Sequence, residues 1–211
     1  LASNATLANQ ITIRGNGNTV TPPTTHVVGA LTDAIFKIIG EDFVTINGFV
    51  MNENAANTTI VAGTNNMTEF GVALFYRTAT DGAQNASILG NTITLNRTYQ
   101  NTFGIYSNSS HTAAVATTPA NASGATGGNN ALLIRGNTIS NVNIGIVVVG
   151  TAGTAAADHN EGLDLGGASL ATGNTITNYG TTGTFSSYAN VSGTVNGILV
   201  RNTRNFNISF N

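Results

Sequence analysis

Short stretches of alternating apolar and polar residues recur along the chain, separated by joints rich in Gly, Asn and Thr. One set reads AIFKIIG (34–40), GVALFYRTA (71–79), FGIYSNS (103–109), IGIVVVG (144–150) and NGILVRN (196–202). A second set reads QITIRGNGNTVT (10–21), FVTINGFVM (43–51), ASILGNTIT (86–94), ALLIRGNTIS (131–140), LATGNTIT (170–177) and NFNISFN (205–211). The period of two predicts β-strands, and Gly, Asn and Thr are poor helix formers. The two sets alternate. Taking Ile35, Val72, Ile105, Ile146 and Ile198 as equivalent gives spacings of 37, 33, 41 and 52 residues.

Self-similarity on that scale is the mark of a chain that stacks on itself. Ile35, Val72, Ile105, Ile146 and Ile198 should form one interior column, and Ile13, Ile46, Ile88, Ile134 and Ile208 another. Burying one such side chain contributes about 1.5–3 kcal/mol, so a single turn cannot offset its chain entropy but several stacked turns can. The recurrent Gly-Asn-Thr-(Ile/Val) joint fits the same picture. Gly turns the corner, Asn points inward to bond the backbone, Thr faces out and Ile re-enters the core. Asn18, Asn91, Asn137 and Asn174 are then expected as a ladder of identical side chains, lapsing at Gly48-Phe49.

These residues resemble the right-handed parallel β-helix repeat family, the architecture shared by pectate lyases, polygalacturonases and many bacterial surface proteins. The resemblance covers nearly all of residues 9–211 and implies an all-β solenoid of about five to six turns. Its Asn/Thr/Gly-rich, low-charge form looks like the long surface and adhesin proteins of environmental bacteria. One domain is expected over 1–211, with insertions at 53–70, 108–129, 151–168 and 178–195. The two central insertions follow consecutive turns and should emerge side by side. No polar cap is evident at either end, so the chain reads as a segment of a longer secreted precursor, open at both ends.

Composition narrows the function. Only 8% of residues are charged and the net charge is −2, which gives no electrostatic case for nucleic acid or an anionic membrane. No apolar run is long enough to span a bilayer. The absence of Cys excludes a disulfide scaffold and a Cys-based metal site.

The densest ionisable cluster is Asp158, His159, Glu161 and Asp164 in one insertion, with His111 in its neighbour. Carboxylates with nearby Asn and carbonyl oxygens suit Ca²⁺, and the same residues also read as a solvated loop holding the chain's few charges. No other cofactor is expected. The hydrolases and lyases of this fold imply clustered Asp, or Asp-bound Ca²⁺ with an Arg base, and the strands here carry almost no carboxylate. Arg14 and Arg135 sit at equivalent corners without a repeating acidic partner.

Thr92, Thr94, Thr138, Thr175 and Thr177 should place hydroxyl columns on one outer face, as in ice-binding solenoids, with Phe49 and Met51 breaking the array. Asn57, Asn85, Asn96, Asn108 and Asn121 begin glycosylation sequons. The leading expectation is therefore a structural and adhesive module of an extracellular protein. Its partners would be neighbouring turns, copies of the same protein, or cell-surface glycans. A polysaccharide lyase or hydrolase fragment and an ice-binding solenoid are the alternatives.

Overall fold

The computed structural model describes residues 5–24, 26, 32–61, 64–112, 122–152, 155–181 and 195–211. Each turn lays one strand into each of three parallel sheets. The first turn comprises β1 (Ile11–Arg14), β2 (Thr19–Val20) and β3 (Ala34–Ile39), and the second β4 (Val44–Asn47), β5 (Val50–Asn52) and β6 (Phe70–Tyr76). The third comprises β7 (Ser87–Leu89), β8 (Thr92–Thr94) and β9 (Phe103–Thr112), and the fourth β10 (Leu133–Arg135), β11 (Thr138–Ser140) and β12 (Ile144–Val149). A short β13 (Asn160–Glu161) precedes the fifth turn: β14 (Asp164–Leu165), β15 (Thr175–Thr177) and β16 (Ile198–Arg201). Then come β17 (Thr203–Arg204), which pairs with β13, and β18 (Asn207–Ile208), the sixth strand of the first sheet. The chain is an all-β solenoid.

Its interior is a set of apolar columns, one residue per turn. The first sheet supplies Ile13, Ile46, Ile88, Ile134, Leu165 and Ile208 in register. Leu165 is the rung that the sequence pattern placed inside an insertion, so the 151–168 segment is not all loop. The second sheet supplies Val20, Met51, Ile93, Ile139 and Ile176. In the third sheet the partner of Val72 is Phe36, so the column runs Phe36, Val72, Ile105, Ile146 and Ile198. Ile35 is one residue out of that register. Phe36 holds the position because its ring meets Phe49, 4.9 Å away, at the corner of the next turn.

The Gly-(Ile/Val) pairs of the third sheet have a packing cause. A Cβ on Gly104 would sit 2.4 Å from Ile139 Cγ2 and 2.6 Å from the Gly145 carbonyl. Gly71 meets Ile93, and Gly145 meets Ile176, in the same way. An isoleucine of the second sheet thus fills the space where each glycine has no side chain. At the corner between the first and second sheets the requirement is conformational instead. Gly48, Gly90 and Gly136 have φ of 71°, 59° and 65°. Phe210 takes the equivalent place on the last rung at φ 56°, a conformation costly for a side chain with a Cβ.

The third sheet is apolar on both faces, which is why IGIVVV does not alternate. Phe70, Phe75, Phe103, Tyr106, Ile144, Val147 and Val149 form a second buried cluster on its outer side. There β9 departs from β6 after the Leu74–Ser107 pair and rejoins it at Tyr76–Thr112. The intervening residues carry His111 over this cluster, its ring 4.5 Å from that of Phe75.

The segments 53–70 and 178–195 leave the same junction, between the second and third sheets; residues 182–194 lie outside the described part. Of the 108–129 segment, 113–121 also lie outside it. The described parts of the two central insertions touch. The short helix α1 (Gly124–Gly127) packs on the 3-10 turn Ala156–Asp158, and Gly124 N donates to Asp158 Oδ1 at 3.1 Å.

Candidate functional site

The outer face of the second sheet is the most regular surface of the molecule. Thr19, Val50, Thr92, Thr138 and Thr175 stand in one column along five strands. Asn52, Thr94, Ser140 and Thr177 form a second column beside it. Thr92, Thr138 and Thr175 are exposed, and Thr94 Oγ1 and Ser140 Oγ are 3.1 Å apart. Parallel strands spaced about 4.8 Å, with side chains repeating about every 6.7 Å along each, give a flat grid of hydroxyls. The second turn does interrupt it, through Val50 and Asn52 and not through Phe49 and Met51 themselves. Met51 is wholly buried in the second-sheet column and Phe49 sits in the corner, so Val50 and Asn52 face outward.

Beneath this face the asparagine column keeps the strands in register. Asn91 N and Nδ2 donate to Asn137 Oδ1 at 3.0 and 3.1 Å, and Asn137 N and Nδ2 donate to Asn174 Oδ1 at 3.1 and 2.9 Å. Asn174 Nδ2 continues to Asn211 Oδ1 at 2.7 Å. Each Nδ2 also donates to a first-sheet carbonyl of the preceding turn: Asn91 to Ile46 O, Asn137 to Ile88 O, Asn174 to Ile134 O and Asn211 to Leu165 O. Asn18 is not a member. It is exposed, and the next residue in the column is Phe49, whose N–H donates to Asn91 Oδ1. Asn211 is the member that sequence inspection missed. The available signal was its position three residues after Ile208, matching Ile88–Asn91 and Ile134–Asn137.

The cation cluster expected from the sequence is not assembled. Among the described residues no group of three or more His, Cys, Asp and Glu is placed to hold a metal ion. Each carboxylate has other partners. Asp158 accepts from Gly124 N, and Glu161 pairs with Arg204 at 2.7 Å and accepts from Asn205 Nδ2 at 2.6 Å. Asp164 pairs with Arg135 across one turn and accepts from Gly167 N and Asn207 Nδ2. Burial raises the Asp164 pKa, but the hydrogen bonds from Arg135 and Asn207 outweigh it and leave the carboxyl below its ordinary value. Arg135 is therefore an ion-pair residue and not simply a solvated corner. His159 is partly exposed. His111 is buried elsewhere, its Nδ1 3.0 Å from the Tyr106 hydroxyl, and burial pulls its pKa down to about 3, so it is neutral at ordinary pH.

Two of the sequons are interior. Asn57 donates to Pro23 O and Glu53 Oε1, and Asn108 donates to the Tyr106 hydroxyl at 2.9 Å, with both side chains buried. Asn85 and Asn96 are partly exposed, and Asn121 lies outside the described residues.

A polar cleft of ≈ 520 Å³ opens beside the first turn, lined in part by Thr21, Pro22, His26, Asp33 and Lys37. Asp33 Oδ2 is 3.7 Å from His26 Nδ1, and Asp33 N donates to Glu69 Oε2 at 2.8 Å. Glu69 is fully buried. Burial, opposed by that backbone hydrogen bond and reinforced by the Asp33 charge, pushes its pKa up to about 9. Sequence inspection missed these acids. Their signal was an acid immediately before the first strand residue in each of two repeats, Asp33-Ala34 and Glu69-Phe70.

Among the described residues no helix is long and apolar enough to cross a membrane. Comparison with protein-family models, with curated proteins and with solved structures finds no match to this chain.

Proposed function

We propose that this chain is a structural and adhesive module of an extracellular, cell-surface protein. The observation that supports this most directly is the unbroken register of three parallel sheets over five turns, with the Asn91–Asn137–Asn174–Asn211 column inside them. Such a stack is stiff along its axis, because every turn is hydrogen-bonded to its neighbours and has no freedom to slip. Insertions from two fixed corners are thereby held at set heights on a rigid support, the arrangement expected of contact surfaces on a stalk.

Electron microscopy of the native protein that carries this segment tests the reading. A rod or filament of constant width at the cell surface is the expected result, and a compact isolated particle refutes it.

A second reading is favoured by the hydroxyl grid of Thr92, Thr138 and Thr175 with Thr94 and Thr177. In it the second sheet lies against an ordered surface, ice being the simplest. Thermal hysteresis that disappears in Thr138→Tyr, with the fold retained, would support it. Absence of hysteresis in the unmodified chain removes it.

A further inference from the structure

Six Asn-x-Ser/Thr sequons fall within the described residues, and the fold treats them differently. Asn57 and Asn108 are buried, with their amides spent on interior bonds. Asn207 Nδ2 donates to Asp164 Oδ1 and Gly167 O, both at 3.1 Å. Asn66 Oδ1 accepts from Thr59 N, and Thr68, the third residue of that sequon, is wholly buried. Ser87 of the Asn85 sequon lies inside β7, paired with strands on both sides. Each of these has its amide engaged or its hydroxyl residue held in the body of the stack.

Asn96 is different. With Arg97 and Thr98 it forms the turn that leaves the second sheet after β8. Asn96 Oδ1 accepts from Thr98 N at 3.1 Å and from Thr98 Oγ1 at 2.6 Å, and Tyr99 N closes the turn on Asn96 O at 3.1 Å. These bonds are local, so the turn keeps its shape without help from a neighbouring repeat. They use the oxygen of the Asn96 amide and leave Nδ2 without a partner among the described residues. Arg97 and Thr98 are exposed and Asn96 is partly so, while Leu95 and Tyr99 on either side are buried and anchor the turn. The turn borders a cleft of ≈ 390 Å³ whose walls include Asn54, Thr58, Arg97 and Asn141. Primary amides, a hydroxyl and a guanidinium are suitable partners for sugar hydroxyls, and the volume is within the ~300–1,000 Å³ usual for ligand clefts.

We propose that Asn96 carries an N-linked glycan whose first sugar lies along this cleft. The proposal rests on the extracellular reading, since sequon glycosylation marks surface loops of secreted chains. In the transfer a bond forms between Asn96 Nδ2 and the anomeric carbon of a glycosyl pyrophosphate, lipid-linked or nucleoside-linked. The anomeric C–O bond breaks, the pyrophosphate group leaves with the electron pair, and one Nδ2 proton passes to base. The step needs no oxidant or reductant. The glycan adds bulk at the junction between the second and third sheets, where the 53–70 and 178–195 segments also leave the stack.

Glycopeptide mapping of the native protein, purified from its source, tests this. The peptide spanning Asn96 should carry added sugar mass, and fragmentation that keeps the glycan on its side chain should place that mass on Asn96. A single hexose identifies a nucleoside-linked donor and a longer oligosaccharide a lipid-linked one; either supports the site. Expressed in the same source, Thr98→Ala should lose the modification and Thr98→Ser should keep it, both with the circular dichroism of the parent chain. Asn85→Gln should leave the Asn96 glycopeptide unchanged. A cell-surface protein with bare Asn96, or a glycan retained in Thr98→Ala, overturns the site and leaves the extracellular reading standing. Recovery of the protein from the cell interior alone removes that reading and the site with it.

Discussion

Replacing Asn137 by Ala removes the middle of the asparagine column, and its cost follows from counted bonds. The side chain accepts from Asn91 N and Asn91 Nδ2, and donates to Ile88 O and Asn174 Oδ1. Asn91 Nδ2 keeps Ile46 O, and Asn174 Oδ1 keeps the Asn137 backbone N–H. The Asn91 backbone N–H keeps nothing, in a corner where Asn91 is 1% exposed. One orphaned buried donor costs about 1–3 kcal/mol, and each further lost bond about 0.5–1.5 kcal/mol, so Asn137→Ala should destabilise by about 3–4 kcal/mol. Asn18→Ala is the control. It is the same substitution at the same repeat position, on an exposed residue outside the column, and should cost under about 0.5 kcal/mol. Urea denaturation followed by circular dichroism, comparing midpoints at matched slopes, measures both. If Asn137→Ala falls within 1 kcal/mol of Asn18→Ala, the column does not hold the turns in register and the reasoning is wrong.

Gly104→Ala forces a methyl against Ile139 and the Gly145 carbonyl, and overpacking of this kind should cost about 1–3 kcal/mol in the same assay. Phe210→Gly should be neutral to stabilising by up to about 1 kcal/mol despite losing an aromatic ring, because it relieves a left-handed φ at a half-exposed corner. Melting temperature should fall as pH rises from about 4.5 to 9, since the folded chain holds the Glu69 proton that the unfolded chain releases; Glu69→Gln should flatten that slope. The opposite sign applies to His111. Its folded pKa of about 3 lies below the 6.5 of the free group, so stability should drop as pH falls between them, and His111→Phe should weaken that acid limb.

The solenoid was legible because its signals repeat: an inward Ile, a corner Gly and an Asn three residues after the Ile. What escaped were places where one turn departs from the rest. Leu165 lies in a two-residue strand, and its Asn174 is nine residues on, not three, because a 3-10 turn at Leu170–Thr172 fills the corner. Asn211 was hidden by Phe210 standing where other turns have Gly. Phe36 displaced Ile35 through a contact with Phe49 that no spacing encodes. The candidate sites were less legible than the fold. Asp158, Glu161 and Asp164 are close in sequence but turn toward partners one turn away, Arg204 and Arg135 among them. Asp33 and Glu69 are a full turn apart in sequence yet directly bonded. In a stacked chain, neighbours in space are one repeat apart, so clustering along the sequence is a poor guide to chemistry.

The asparagine column also has a direction. Every member from Asn91 to Asn174 donates to the asparagine oxygen of the following turn and offers its own oxygen to a backbone N–H of the preceding one. A turn therefore has two different faces, and among the asparagine-bearing turns the lower face of one matches the upper face of the next. An in-frame duplication of residues 88–133 would meet familiar contacts on both sides and lengthen the stack by about 4.8 Å. Length can then change by gene duplication without inventing a new interface, while loop insertions alter breadth independently. The two dimensions of the molecule are under separate genetic control.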